Sequence, residues 1–264
     1  MYMSSNISTG FQRLDKLIPN WTKSHVIVIA SRPAIGKSSF AVSLVKNIAV
    51  KQNIPSLFFS LEMPTYMLTR WLVCNICELD YAEVSNGELD EENKAEYELG
   101  LRLLEESPLF IDDSPTLFVS ELKSKIEQGV SSHDVKFVFI DFLQLLSTNT
   151  IKFNDRQEEL TFLMKSLRDL ATALNITVVV NVSLPAHFRK PSIPPDFQDL
   201  KLIGSIDEWA DIVLYLHRPV FYSLVTDSTQ KIEPISQVFV GKNSFGEKGD
   251  CLLYFRPEQR RFYC

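Results

Sequence analysis

The chain has 264 residues, 45% of them hydrophobic and 23% charged, with a formal net charge of −6. Its length and apolar share suit one large α/β domain or two small ones with a full core, and its ordinary composition excludes a disordered or low-complexity protein. The acidic balance excludes a protein that wraps nucleic acid by bulk charge; such contact would need a local basic strip or several subunits facing one channel.

In chain order, MYMSSNIS (1–8) is polar and reads as loose. HVIVIA (25–30) is a short apolar strand, and KSSFAVSLVKNIAV (37–50) has helical spacing. SLFFSLE (56–62) reads as a second buried strand, followed by two helical stretches through MLTRWLVCNICEL and DEENKAEYELGLRLLEES. PLFIDD (108–113) predicts a strand and LFVSELKSKIEQGV a helix. KFVFIDFLQLL (136–146) is the most apolar strand and carries an aspartate. A long amphipathic helix is predicted over 155–174 and a strand over 176–183, then a proline-rich loop, PAHFRKPSIPP. ADIVLYLH (210–217), ISQVFVGK (235–242) and CLLYF (251–255) close the chain as strands. Apolar strands alternating with helices predict a mostly parallel α/β sheet covered on both faces, and the last strands, with no helices between them, an antiparallel edge. One domain, 1–264, is expected.

Cys74 and Cys77 form a C-x-x-C within a helical run, and Cys251 and Cys264 supply no second pair at zinc-site spacing. They read as small buried hydrophobes. Few cysteines, no signal peptide and no apolar run of membrane-spanning length make the expected location cytoplasmic, with no membrane partner.

The stretch ASRPAIGKSSF (30–40) follows a strand and opens a helix, which is the setting of a phosphate-binding loop. Ser31, Arg32, Pro33, Ala34, Ile35, Gly36, Lys37, Ser38 and Ser39 bracket the helix start as nucleotide-binding candidates, and their backbone N–H groups, Pro33 excepted, are available where the dipole favours anions. Gly36 allows close backbone approach, Lys37 would reach the β- and γ-phosphates, and the Ser38 hydroxyl would ligate Mg²⁺. Ser31 stands where the usual G-x-x-x-x-G-K-[ST] pattern has its first glycine; serine is tolerable there if the backbone needs no positive φ. Asp141 ends FVFID, so a buried strand carries an acid to the sheet edge, where it can hold Mg²⁺ or its waters. Glu62 ends SLFFSLE and is a candidate base for an attacking water. The cofactors expected are ATP and Mg²⁺.

STGFQRLDKL, SRPAIGKSSFA, FFSLEMP, Arg70, NGELD, FIDD, FIDFLQL, LIGSIDEWAD and VGKNSFGEKG occur in this order. Together they resemble the C-terminal RecA-like motor domain of DnaB-type replicative DNA helicases, from about Ser8 to Tyr263. The resemblance implies a RecA-like P-loop ATPase whose first P-loop glycine is absent, so Ser31 is a family-like variation. It further implies that Lys37 and Ser38 bind phosphate and metal, that Glu62 is the catalytic base, and that Asp141 is the metal-holding acid. Arg70 matches a recurrent arginine. The loop before GSI, here with Lys201, Leu202 and Gly204, matches a DNA-backbone loop. Arg189, Lys190 and Lys201 are the local bases available to face a channel. The implied assembly is a hexameric ring of this chain or of related helicase subunits on single-stranded DNA, each nucleotide lying between neighbours and meeting Lys242 across the interface.

Three departures stand out. The arginine expected to act across the interface is Ser244, the glutamine that couples phosphate to DNA is replaced by Ser183, and Arg-Glu in the DNA loop is Lys201-Leu202. By this resemblance the sequence starts where the motor domain starts, which suits either a fragment or a stand-alone relative. The expectation is therefore an ATP-driven translocase with weakened hydrolysis. The alternative is a non-motor nucleotide-binding paralog that regulates or assembles with a partner. A recombinase or small-molecule kinase shares the fold, but the ordered blocks argue against it.

Overall fold

The computed structural model describes residues 7–19, 21, 24–115, 117–149, 151–186, 192–219, 221 and 235–264. A short helix α1 (Gln12–Leu17) precedes strand β1 (Val26–Ser31), helix α2 (Lys37–Val45) and strand β2 (Ser56–Ser60). Helix α2 continues as a wider π-type turn through Val50. Three helices follow, α3 (Thr65–Cys77), α4 (Tyr81–Asn86) and α5 (Glu91–Glu105), then strands β3 (Leu109–Asp112) and β4 (Leu117–Phe118), helix α6 (Val119–His133) and strand β5 (Phe137–Asp141). Strand β6 (Leu146–Ser147) pairs with β4 as a small separate ribbon. Helix α7 (Arg156–Leu174), strand β7 (Thr177–Ser183), helices α8 (Phe197–Lys201) and α9 (Ile206–Trp209), and strands β8 (Ile212–His217), β9 (Ile235–Asn243), β10 (Gly249–Arg256) and β11 (Arg261–Tyr263) complete the described chain.

The main sheet has nine strands in the order β11-β10-β9-β8-β1-β7-β5-β2-β3. From β8 to β3 all neighbours are parallel, and β9, β10 and β11 add on antiparallel. The two-residue period of a strand explains why β1 is apolar throughout. Val26, Val28 and Ala30 face a core shared with α6 and α7, whereas Ile27 and Ile29 face a second core shared with α2 and α3. Helix α2 is covered almost all round, since Ser39 to Val45 are all buried. The antiparallel strands keep one face apolar: Cys251, Leu253 and Phe255 pack inward, while Leu252 and Tyr254 stay exposed.

The 136–146 segment is a shorter strand than its apolarity suggests, because the chain turns through a single 3₁₀ turn at Leu143–Leu145 before β6. Cys74 and Cys77 lie on α3 against α5. Burial pushes the Cys74 thiol up to about 12, and Cys77 Sγ lies 3.2 Å from the Glu96 carbonyl. Both are free. Among the described residues no helix is long and apolar enough to cross a membrane.

Candidate functional site

Parallel α/β sheets place their crevices at the carboxyl ends of the strands, where chain order reverses. Here β1 lies between β7 and β8, and the chain from its end enters the loop 31–36 before α2. Ser31 is the last paired residue of β1, opposite Ser183 of β7. Its backbone is that of the strand and not of the left-handed region, so no glycine is required. The left-handed positions are instead Ala34 (φ 63°) and Gly36 (φ 109°). A Cβ on Gly36 would also lie 3.4 Å from the Phe262 ring.

Asp80, Asp90, Asp155 and Asp196 cap α4, α5, α7 and α8 with side-chain oxygens, but α2 begins at Gly36 with no side-chain cap. Its first-turn N–H groups therefore present partial positive charge to whatever lies before them. What lies before them is a cleft of about 720 Å³. Pro33, Ala34, Gly36, Lys37, Ser38 and Ser39 line it on one side, with Glu62, Phe142 and Ser183 also at its wall. Ser31, Arg32 and Ile35 are buried and do not line it. Arg32 Nη1 instead donates to the Ile193 carbonyl at 2.9 Å. Those three side chains shape the loop.

Burial depresses the Lys37 pKa, while Asp141 and Glu62 oppose that shift. Burial raises the Glu62 pKa, Asp141 adds to the rise and Lys37 counters it. Asp141 is itself pushed up by burial, against the Asn181 amide, the Ser38 hydroxyl and Lys37. Thus Lys37, Ser38, Glu62 and Asp141 share one electrostatic environment. Asn181 Nδ2 donates to Asp141 Oδ1 at 2.7 Å, and Asp141 Oδ2 is buried without a hydrogen-bond partner. An orphaned buried carboxylate oxygen beside a serine hydroxyl fits a hard cation that keeps phosphate and water oxygens as its other ligands. Among the described residues no three His, Cys, Asp or Glu side chains converge on a metal site, so such a cation would depend on those other oxygens.

Six further lining residues are not legible in the sequence: Trp71, Arg218, Phe221, Phe255, Pro257 and Arg260. Phe255 packs close to the phosphate loop, its ring 3.7 Å from where a Cβ on Gly36 would lie. Arg218 follows β8 directly and its guanidinium lies 4.4 Å from the Phe255 ring centroid. Strand-end reasoning, which picks out Glu62 and Asp141, applies equally to Arg218 at the end of IVLYLH. Trp71 comes from α3 and Phe255 from β10, which only the tertiary fold brings to the cleft, while Phe221 follows β8 a few residues after Arg218.

A family model described as the DnaB-like helicase C terminal domain matches residues 6–264. The chain belongs to the DnaB-like helicase C-terminal domain family. It is 31% identical to a probable replicative DNA helicase of Trieres chinensis, over 98% of this chain and 57% of that protein. A solved DnaB-like replicative helicase, described together with its interactions with primase, superposes with a TM-score of 0.86 at 25% identity, over 97% of this chain and 61% of the other. A second solved structure, described as an ATPase domain, gives a TM-score of 0.87 at 24% identity over 98% of this chain and 92% of that one, a likeness of fold. The chain spans about half the length of the curated relatives it matches.

In this DnaB-like domain Lys242, Lys201 and Gly204 lie away from the cleft. Lys242 pairs with Val213 near the start of β8, at the sheet edge opposite the cleft. Its Nζ donates to the Asp207 carbonyl at 2.8 Å. Ser244 follows in the β9–β10 turn, where its N–H and Oγ each reach the Asp211 carbonyl at 3.0 Å. Neither reaches the chain's own cleft. Ser183 lines the cleft, and its backbone is gripped at both ends by Gln144, whose Nε2 donates to the Ser183 carbonyl at 2.7 Å while the Ser183 N–H donates to Oε1 at 3.2 Å.

Lys201 ends α8, exposed, with Nζ 4.5 Å from the Phe197 ring centroid. Gly204 (φ 130°) is buried; a Cβ there would meet the Gln157 carbonyl and Thr161 Oγ1, both at 2.8 Å. Both residues border a second, more open hollow of about 630 Å³. Its charged lining is mixed: Lys165 and Lys201 against Asp155, Glu158 and Glu208. Arg189 and Lys190 lie outside the described residues. Arg70 is on α3, with its guanidinium 5.6 Å from the Tyr66 ring centroid.

Proposed function

We propose that this chain is a single ATPase unit of a replicative helicase, coupling hydrolysis of Mg²⁺-bound ATP to movement on single-stranded DNA during DNA replication in the cytoplasm. The observation that carries this reading is the uncapped start of α2, with Gly36, Lys37, Ser38 and Glu62 lining one cleft and buried Asp141 beside Lys37 and Ser38. Lys37 and the first-turn N–H groups grip the β- and γ-phosphates, with Ser31 to Ile35 setting the loop's path. Ser38 and Asp141 hold Mg²⁺, which when bound neutralises charge on the phosphate oxygens. Glu62, its pKa raised, orients a water and accepts its proton. Arg218 and Phe255, which also line the cleft, offer the base a cationic and an aromatic surface.

Lys242 and Ser244, at the far sheet edge, would serve a neighbour's nucleotide in a hexameric ring of this chain or of related subunits. Ser244 brings no positive charge there, so hydrolysis is weakened. Single-stranded DNA would lie along Lys201 and the Gly204 loop, joined by Arg189 and Lys190.

A second reading, a non-motor nucleotide-binding subunit, is favoured by the mixed charge of the hollow beside Lys201. One experiment separates them: ATP turnover with and without single-stranded DNA, with the assembly state measured alongside and Lys37→Ala as control. DNA-stimulated turnover by a ring, absent in Lys37→Ala, establishes the motor. Tight nucleotide binding with no turnover establishes the second reading. Unchanged ATP affinity in Lys37→Ala overturns both.

A further inference from the structure

Among the described residues three cations line the cleft: Lys37, Arg218 and Arg260. Lys37 belongs to the phosphate loop and Arg218 is laid over Phe255. Arg260 has no such assignment. Its neighbours Arg256 and Arg261 both pair with Glu78, and neither lines the cleft. Among the described residues Arg260 pairs with no carboxylate, and its Nε is buried without a hydrogen-bond partner.

Arg260 is nevertheless firmly placed. Its backbone is left-handed (φ 50°), and its carbonyl accepts from Asn75 Nδ2 at 2.7 Å, which ties the turn before β11 to α3. The guanidinium lies 4.7 Å from the ring centroids of both Trp71 and Tyr81. Two aromatic faces orient a guanidinium but leave its N–H donors unsatisfied, and a partly desolvated cation in that state favours an anion. The cleft it borders also holds Ser39, in the first turn of α2, where the helix start attracts the same kind of ligand.

We propose that Arg260 is a phosphate-binding cation of this chain's own cleft, donating hydrogen bonds to the phosphate chain of the bound nucleotide. The inference rests on the ATP-site reading above. It gives the site a positive charge in cis, while the turn at Ser244 offers none in trans.

The test is competition against a fluorescent ATP analogue by ATP and by tripolyphosphate, which has no base. Charged hydrogen bonds are worth about 1.5–3 kcal/mol, so Arg260→Gln should weaken both competitors by about tenfold or more. Arg260→Lys, which keeps the charge, should retain most of the affinity. Loss for ATP but not for tripolyphosphate would mean a base contact and overturn the proposal. So would wild-type affinity in Arg260→Gln beside lost binding in Lys37→Ala, an outcome that leaves the ATP-site reading standing. Wild-type affinity in Lys37→Ala would remove that reading and this inference together. A second measurement needs no variant: tripolyphosphate should shield Arg260 of the unaltered protein from phenylglyoxal, read by peptide mass spectrometry. Equal modification with and without tripolyphosphate would overturn the proposal.

Discussion

Asn181 Nδ2 holds Asp141 Oδ1 at 2.7 Å across the neighbouring strands β7 and β5, so that Oδ2 alone is left for another ligand. In the proposed site Asn181 would thus fix which carboxylate oxygen is free for a metal. Supporting partners of this kind are typically worth about 10–100-fold in metal affinity. Asn181→Ala should therefore raise the Mg²⁺ concentration needed for nucleotide binding by about that factor. Metal titration of nucleotide affinity checks this, and an unchanged midpoint contradicts it.

Glu62 faces the cleft with its pKa raised by burial and by Asp141. A base works only when deprotonated, so turnover should rise with pH through a limb lying above the usual glutamate value of about 4.3. Glu62→Gln should keep ATP affinity, lower turnover by about 10²–10⁴-fold and abolish that limb. The pH profiles of turnover in the two proteins decide it.

Ser244 occupies a turn pinned to Asp211, at a sheet edge its own cleft does not share. Ser244→Arg should raise turnover only in assembled protein; a well-placed arginine in such a role is worth up to about 10³–10⁵-fold. Turnover compared across protein concentration, with assembly followed by light scattering, reads this directly. No change in a chain shown to form rings would refute the account of weakened hydrolysis.

Lys46, in the π-type turn after α2, is buried and reaches the Asn75 carbonyl at 3.4 Å. Burial, with Lys51 and Arg261 nearby and Glu78 opposing, lowers its pKa to about 7. The unfolded chain then binds more protons than the folded one between about pH 7 and the ordinary lysine value of about 10.4, so this group's contribution to stability rises with pH across that window. Lys46→Met should stabilise most below pH 7 and progressively less above it. Each kcal/mol relieved should raise Tm by roughly 2–4 °C for a chain near this size. Thermal melts of both proteins from pH 6 to 10 supply the comparison.

The parallel sheet and its antiparallel edge were legible because buried strands announce themselves as apolar runs, and the gaps between 210–217, 235–242 and 251–255 hold no helical period. The short pieces were not: α1, α4, α8, α9 and β11 carry too few residues for a period to emerge. Part of the cleft lining was legible because phosphate chemistry fixes Gly36, Lys37 and Ser38 in a row and places acids at strand ends. The rest, with Trp71, Phe255 and Arg260, is assembled from a helix and a hairpin far apart in sequence. Aromatic residues there look like core residues until the chain is folded. Cys74 and Cys77 show the reverse: a suggestive spacing whose members pack beside α5, Cys74 buried and Cys77 half-buried, both as free thiols.

The chain carries its cleft at one rim of the sheet and the Lys242–Ser244 turn at the other, and no bending of a rigid nine-stranded sheet unites them. A copy that lends the turn to a second copy can take that copy's turn in return, as a twofold pair, or take one from a third; in the second case the contacts point one way and run on until they close a circle or grow a fibre. A mixed population makes the point: chains crippled at the loop can still donate to healthy neighbours, whereas chains crippled at the turn can only receive.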